Sequence, residues 1–279
     1  MTTGEGIVPV GPPEREEFMS EAVTYARYLK IDELLGLQDP RDDVEHDEML
    51  FIVIHQVYEL WFKVLLHELD YCAELLGAGD TPKARHTLKR VLTILKVLVS
   101  QLDVLETMTP TQFLTFRERL ESSSGFQSDQ FRALEFSLGK KAHDAVERFP
   151  EGSRARASLE ERWAAPTLWD ALLNYLSEQG YEVPKGQLSR DVTAPIEASD
   201  ELQTVLVDVY RNDPKNAELC ERLVDLDEGI QEWRYRHVKM VERTIGSKQG
   251  SGGSAGSAYL HTTLNRPLFP DLWEIRARL

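Results

Sequence analysis

Apolar residues recur every three or four positions through most of this chain, the spacing of amphipathic helices rather than the alternation of strands. From Glu17 to Leu35 the repeat runs through Phe18, Ala22, Tyr25, Tyr28 and Leu29. The segment DPRDDVEHD supplies turn formers and a helix start, and a long apolar helix is predicted over Glu48–Leu76. A second long helix is predicted from Thr81 to Glu106, with Thr81-Pro82 suited to the cap and first helical position. Thr109-Pro110 repeats that signal and opens TPTQFLTFRERL. Helical spacing resumes over Phe131–Gly139, Glu201–Arg211 and Ala217–Ile245.

The stretch between His143 and Asp200 is more polar and carries Pro150, Pro166, Pro184 and Pro195, which predicts shorter helices and exposed loops. No strand alternation, dinucleotide-binding glycine fingerprint or internal repeat is found. The predicted fold class is all-α, a single helical domain over 18–279 with long core helices enclosing a pocket, preceded by a proline-containing flexible arm over 1–17.

Composition narrows the function classes. A net charge of −15 disfavours non-specific nucleic-acid binding and attachment to anionic membranes. Cys72 and Cys220 are too few for a disulfide framework or a cysteine-rich zinc site. The N-terminus has neither a basic start nor an apolar core of a signal peptide, and no uninterrupted apolar run reaches about eighteen residues. These features predict a reduced, soluble, cytoplasmic protein without a membrane partner.

Two of the seven histidines interrupt apolar helix faces. His55, in FIVIHQVYELWF, shares a face with Phe51; His237, in EWRYRHVKMVERTI, follows Trp233 by one turn and has Arg234, Arg236, Lys239 and Arg243 around it. Such a histidine either hydrogen-bonds a backbone carbonyl within the core or carries chemistry. The spacings of di-iron and HExxH sites are missing, and so is a CxxC pair. A haem site needs less: one axial imidazole, an apolar cavity and cations for the propionates. Phe113 and Arg117, four residues apart, could grip a carboxylate while packing an apolar group; Arg119 is expected to face solvent. Ser122-Ser123-Ser124-Gly125 has the composition of a turn, and GSKQGSGGSAGSAYL, from Gly246, is either a linker or a mobile cover.

Taken together, HDEMLFIVIHQVYELWFKVLLHELD from His46, MTPTQFLTFRERLESSSGFQSDQFR from Met108, WRYRHVKMVERTIGSKQGSGGSAG from Trp233 and YARYLKIDELL from Tyr25 resemble the tryptophan 2,3-dioxygenase family, in order along most of the chain. The resemblance implies an all-helical homotetramer with one haem b per chain. The implied reaction inserts both atoms of O2 across the indole C2–C3 bond of L-tryptophan, giving N-formyl-L-kynurenine, the first step of the kynurenine pathway. A haem-dependent monooxygenase acting on tryptophan or a modified indole is the alternative.

By resemblance His237 is the iron ligand, with Ser124 and Trp233 beside the cofactor, and His55 is the catalytic histidine near the indole N–H. Phe51, Ile52, Val53, Ile54 and Phe113 are assigned to the substrate pocket, Arg117 to the substrate carboxylate, and Tyr25 and Tyr28 to its closure from a neighbouring subunit. The glycine-rich stretch becomes a lid whose Ser251 contacts the substrate ammonium; the family commonly has Thr there.

Overall fold

A computed structural model describes residues 23–41, 44–248, 250 and 257–279. Its chain divides into two compact units, Met1–Pro40 and Arg41–Leu279. The described part of the first holds two short helices, α1 (Tyr25–Leu29) and α2 (Ile31–Leu35), where the apolar repeat predicted one continuous helix. Lys30 separates them with a φ of 54°, a left-handed conformation that ends α1 and starts α2. The positions of the arm and of the predicted start at residue 18 fall outside the described residues.

The second unit contains α3 (His46–Gly77), α4 (Thr81–Leu105), α5 (Pro110–Arg117), α6 (Asp129–Ser137), α7 (His143–Glu147), α8 (Arg154–Ala164), α9 (Leu168–Glu178), α10 (Lys185–Leu188), α11 (Asp200–Asn212), α12 (Pro214–Ile245), α13 (Ser257–His261) and α14 (Pro270–Glu274). No strand occurs among the described residues, which agrees with the all-α expectation. Helices α3 and α12 are both 32 residues long, and each packs against α4. The middle of the bundle is therefore fixed by three long rods. Helices α5, α6 and α9 pack on α3, and α5 also meets α12.

Local chemistry sets the boundaries. The N-cap of α4 is Asp80, whose carboxylate accepts from Lys83 N at 3.2 Å, one residue before the expected Thr81. Thr81 instead points inward and its hydroxyl bonds the hydroxyl of Tyr175 at 2.8 Å. Helix α5 starts as expected at Thr109, with Pro110 in its first turn and Gln112 closing a capping box. Helix α12 starts at Asp213-Pro214, three residues before the predicted Ala217.

The proline-rich middle contributes more to the core than its polarity predicted. Leu168, Trp169, Leu172, Leu173, Tyr175 and Leu176 of α9 are buried, and Trp169 stacks on Phe269 from the C-terminal segment with ring centres 5.6 Å apart. Polar residues elsewhere in that stretch dilute its average, while α9 alone carries a dense apolar face.

Helix α3 has two apolar faces. Ile54, Tyr58, Phe62, Leu65, Leu69 and Cys72 are buried, whereas Met49, Val53 and Leu60 are exposed. Its most apolar eighteen-residue window reaches a mean hydropathy of 1.6, long and apolar enough by composition to cross a membrane. Scattered polar residues such as Gln56, Glu59 and Lys63 break every uninterrupted run, which is why a run-based reading finds no such segment.

Buried Asp227 of α12 fastens the C-terminal segment. One carboxylate oxygen accepts from Leu268 N at 2.8 Å, Phe269 N at 3.1 Å and Trp273 Nε1 at 2.9 Å. These bonds hold Leu268, Phe269, Leu272 and Ile275 in the core. Asp227→Ala leaves those donors unsatisfied and should lower stability by roughly 3 kcal/mol. Urea unfolding checks this, together with faster amide exchange over 268–275.

Candidate active site

A cavity of about 600 Å³ opens between α3, α5, α6 and α12, a size that suits a substantial organic ligand. One face of α3 supplies Phe51, His55, Tyr58, Glu59 and Phe62 at helical spacing. Phe113 and Arg117 come from α5, Arg132 and Glu135 from α6, and Trp233, Arg234 and His237 from α12. Ser123, Ser124 and Gly125 border it from the connection before α6. Most of the exposed lining is apolar.

Aromatic rings build one wall. The rings of Phe51 and Phe113 lie 5.8 Å apart, the buried Phe116 packs against both at 5.5 to 5.6 Å, and Phe51 is 4.1 Å from the His55 imidazole. A second group joins Phe62, Phe131 and Trp233. Trp233 stacks on His237 at 5.2 Å with the rings 7° from parallel, which fixes the imidazole plane.

His55 Nδ1 lies 2.7 Å from the carbonyl of Phe51. A carbonyl only accepts, so Nδ1 carries the hydrogen and Nε2 is left as an acceptor. The side chain thus satisfies a backbone carbonyl while it lines the cavity. Burial lowers its pKa, only partly offset by the Phe51 carbonyl and the Glu59 charge. For His237 burial dominates, with further lowering by His55 and Arg132, and the pKa falls to about 4. Both shifts favour the uncharged imidazole, the form that binds metal, although the His55 side chain stays accessible from the cavity.

The expected haem can be tested against this chemistry. No group of three or more His, Cys, Asp or Glu residues that could hold a metal occurs among the described residues. A neutral, stacked, single imidazole facing an apolar cavity is what an axial ligand to a prosthetic group requires. Two buried nitrogens in the wall, Arg132 Nε and Arg234 Nη1, have no hydrogen-bond partner and suit an anionic edge. The residues fit the group.

Of the four cations flanking His237 in sequence, Arg234 alone lines the cavity. Arg236 pairs with Asp103 at 2.6 Å and also with Glu106; Arg243 pairs with Glu106, and Lys239 with Glu242 at 2.9 Å. The cluster on α6 was missed by the sequence reading, although Glu135 inside the apolar run ALEFSL was the available signal. Ser124 lines the cavity, with its hydroxyl accepting from Phe126 N at 3.3 Å. Arg119 is exposed, as expected.

Ile52, Val53 and Ile54 are not among the lining residues: Ile54 is buried in the core and Val53 is exposed. Helical rotation turns them away from the face that carries Phe51 and His55. Tyr25 and Tyr28 lie in the first unit, where both are exposed. Of the expected lid, residue 249 and residues 251–256, Ser251 among them, lie outside the described residues, while Gly250 and Leu260 line the cavity.

In ligand-free protein, imidazole NMR titration should show His237 protonating near pH 4 and His55 below the ordinary histidine range. His55→Gln removes a competing positive charge and should move the His237 midpoint upward. A midpoint of His237 near the ordinary value of 6.5 would contradict this burial account.

The family model for tryptophan 2,3-dioxygenase matches residues 13–161 and 166–279. The chain is 60% identical to the tryptophan 2,3-dioxygenase of Herpetosiphon aurantiacus, over 94% of this chain and 100% of that protein. It is 57% identical to the enzyme of the same name from Anaeromyxobacter sp., covering 93% and 97%, and 44% identical to that of Caulobacter vibrioides, covering 94% and 100%.

Proposed function

The chain belongs to the tryptophan 2,3-dioxygenase family, and from that premise we propose that its cavity holds one haem b on His237 and L-tryptophan on the His55 side. The reaction is insertion of both atoms of O2 across the indole C2–C3 bond, giving N-formyl-L-kynurenine. The observation that carries this reading is the meeting of His55, Arg117 and His237, from three separate helices, in one apolar cavity.

A haem bound there supplies the O2 chemistry; the chain supplies orientation. Arg117 takes the substrate carboxylate through a charge-assisted bond. Phe51 and Phe113 pack the indole and exclude water. His55 Nε2, left as an acceptor by the Phe51 carbonyl, receives the indole N–H and sets the angle of the ring. Trp233 keeps the His237 imidazole in one plane, and Ser124 borders the cofactor space. Ile52, Val53 and Ile54 have no contact role in this account.

The exposed apolar residues of α3, Met49, Val53 and Leu60, favour subunit packing into a homotetramer through that face. Tyr25 and Tyr28, exposed in the first unit, then close the substrate end of a neighbouring subunit. A place in the cytoplasm suits a reaction whose substrates are a free amino acid and O2.

Reduced, haem-loaded protein given L-tryptophan and isotopically labelled O2 should form a ring-opened product carrying two labelled atoms. One labelled atom would establish a monooxygenase instead, and no product despite bound haem would overturn the substrate. Arg117→Ala should raise KM by roughly ten- to a hundredfold, the loss of one charge-assisted bond; an unchanged KM contradicts its role. His237→Ala should lose haem, while His55→Ala should retain haem and part of the activity.

A further inference from the structure

The polar end of the cavity has an unusual charge balance. Glu135 of α6 is 5% exposed, and three cations converge on it. Arg132 reaches it from one turn earlier, Lys140 Nζ lies at 2.7 Å just beyond the helix, and Arg234 Nη2 lies at 2.8 Å from α12. All four line the cavity. Burial by itself raises the Glu135 carboxyl, but the charges of Arg132, Lys140 and Arg234 outweigh it and hold the group below its ordinary range. It is therefore a carboxylate.

One carboxylate leaves this cluster with two positive charges in excess. Glu59 and Asp129 also line the cavity, but among the described residues the three cations form ion pairs with Glu135 alone. Arg234 is buried and Arg132 and Lys140 are half-buried, and cations so placed without counter-charge are costly. The hydrogen bonding is incomplete too: Arg234, 5% exposed at its side chain, has an unpartnered Nη1, and Arg132 an unpartnered Nε. Buried N–H groups in this state call for an acceptor, and guanidinium groups favour carboxylates, which they grip with two parallel bonds.

Two devices hold the cluster in place. Gly139, with a φ of 95°, ends α6 and turns the chain so that Lys140 folds back on Glu135. A Cβ there would run into the side chain of Ile196. Lys141 then donates to the carbonyls of Arg162, Trp163 and Ala165 at 2.8 to 2.9 Å, tying the same turn to the end of α8. Arg234 itself precedes His237 by three residues on α12, one helical turn. Both side chains therefore line the same cavity.

We propose that Arg132, Lys140 and Arg234 form an anion subsite for the carboxylate arms of the haem, and that Glu135 is the residue that positions them. The proposal rests on the haem reading above. It divides the cavity's anion recognition in two: the α6–α12 cluster takes the cofactor, and Arg117 of α5 is kept for the amino-acid substrate. Glu135 supplies enough negative charge to gather the three cations and too little to neutralise them.

Full-length apoprotein titrated with haem and with haem dimethyl ester, followed by the Soret band and by haem transfer to apomyoglobin, tests this. The ester keeps the iron and the ring and loses both anionic arms. Wild type should hold haem roughly ten- to a hundredfold more tightly than the ester. Arg234→Met and Arg132→Met should erode that preference and leave ester binding unchanged, so that a general folding defect, which lowers both, is told apart. Glu135→Gln makes the cluster more positive, yet should also shrink the preference because the cations lose their organising partner.

Equal binding of haem and ester by wild type overturns the subsite and leaves the haem reading intact. Uptake of neither porphyrin overturns both. A larger preference in Glu135→Gln overturns the positioning role. Arg234→Met that raises KM for L-tryptophan without changing the preference for haem over its ester assigns the cluster to the substrate carboxylate and overturns the proposal.

Discussion

Desolvation of two imidazoles inside one cavity is the constraint on which the site depends. A histidine in water is partly charged near neutrality, and a charged imidazole can neither ligate a metal nor accept an N–H. Desolvation by the surrounding protein disfavours that charge on both His55 and His237, less completely on His55, which stays accessible from the cavity, and the charge of His55 adds to the effect on His237. The aromatic walls are what make the burial effective. Phe51 and Phe113 enclose one side, backed by the fully buried Phe116, while Phe62, Phe131 and Trp233 enclose the other.

The architecture follows from the need to face those walls toward one another. Helices α3 and α12 are long because each must pack on α4 along part of its length and still extend past the cavity. Gly229 of α12 allows close approach at that packing: an added Cβ would sit 3.1 Å from Leu95 Cδ1. A cavity of this size forfeits contact energy that a bound ligand restores, so ligand occupancy and stability are linked. The energetics of the bundle and of its ligand belong together.

The buried polar groups outside the cavity serve placement rather than chemistry. Asp170 caps α9 through Thr167 and also holds Arg190 through two oxygens at 2.6 and 2.8 Å. Asp227 fastens the C-terminal segment, and Lys141 closes the end of α8. Each collects several backbone or side-chain partners, which is how a buried charge avoids its desolvation penalty. Glu135 differs because its partners outnumber it on the wall of the cavity.

The sequence by itself determined most of the long helices, since a period of 3.6 and the Thr109-Pro110 start are local properties, but it placed the start of α12 three residues late. It also showed the chemistry-bearing residues that stand out on an apolar face, His55 and His237, and the pairing of Phe113 with Arg117. Family resemblance, carried by long stretches in order, is what the roles proposed for them rest on. It did not show where α1 gives way to α2, because Lys30 adopts a backbone conformation its side chain does not advertise. Nor did it show that α9 is core, since flanking loops diluted its apolar face. Only tertiary structure separated Arg234, turned into the cavity, from Arg236, Lys239 and Arg243, turned toward surface carboxylates. Only it brought Arg132, Glu135 and Lys140 to meet Arg234 across about a hundred residues of sequence. Charge along a chain is local information; which charges share a buried space is decided by packing.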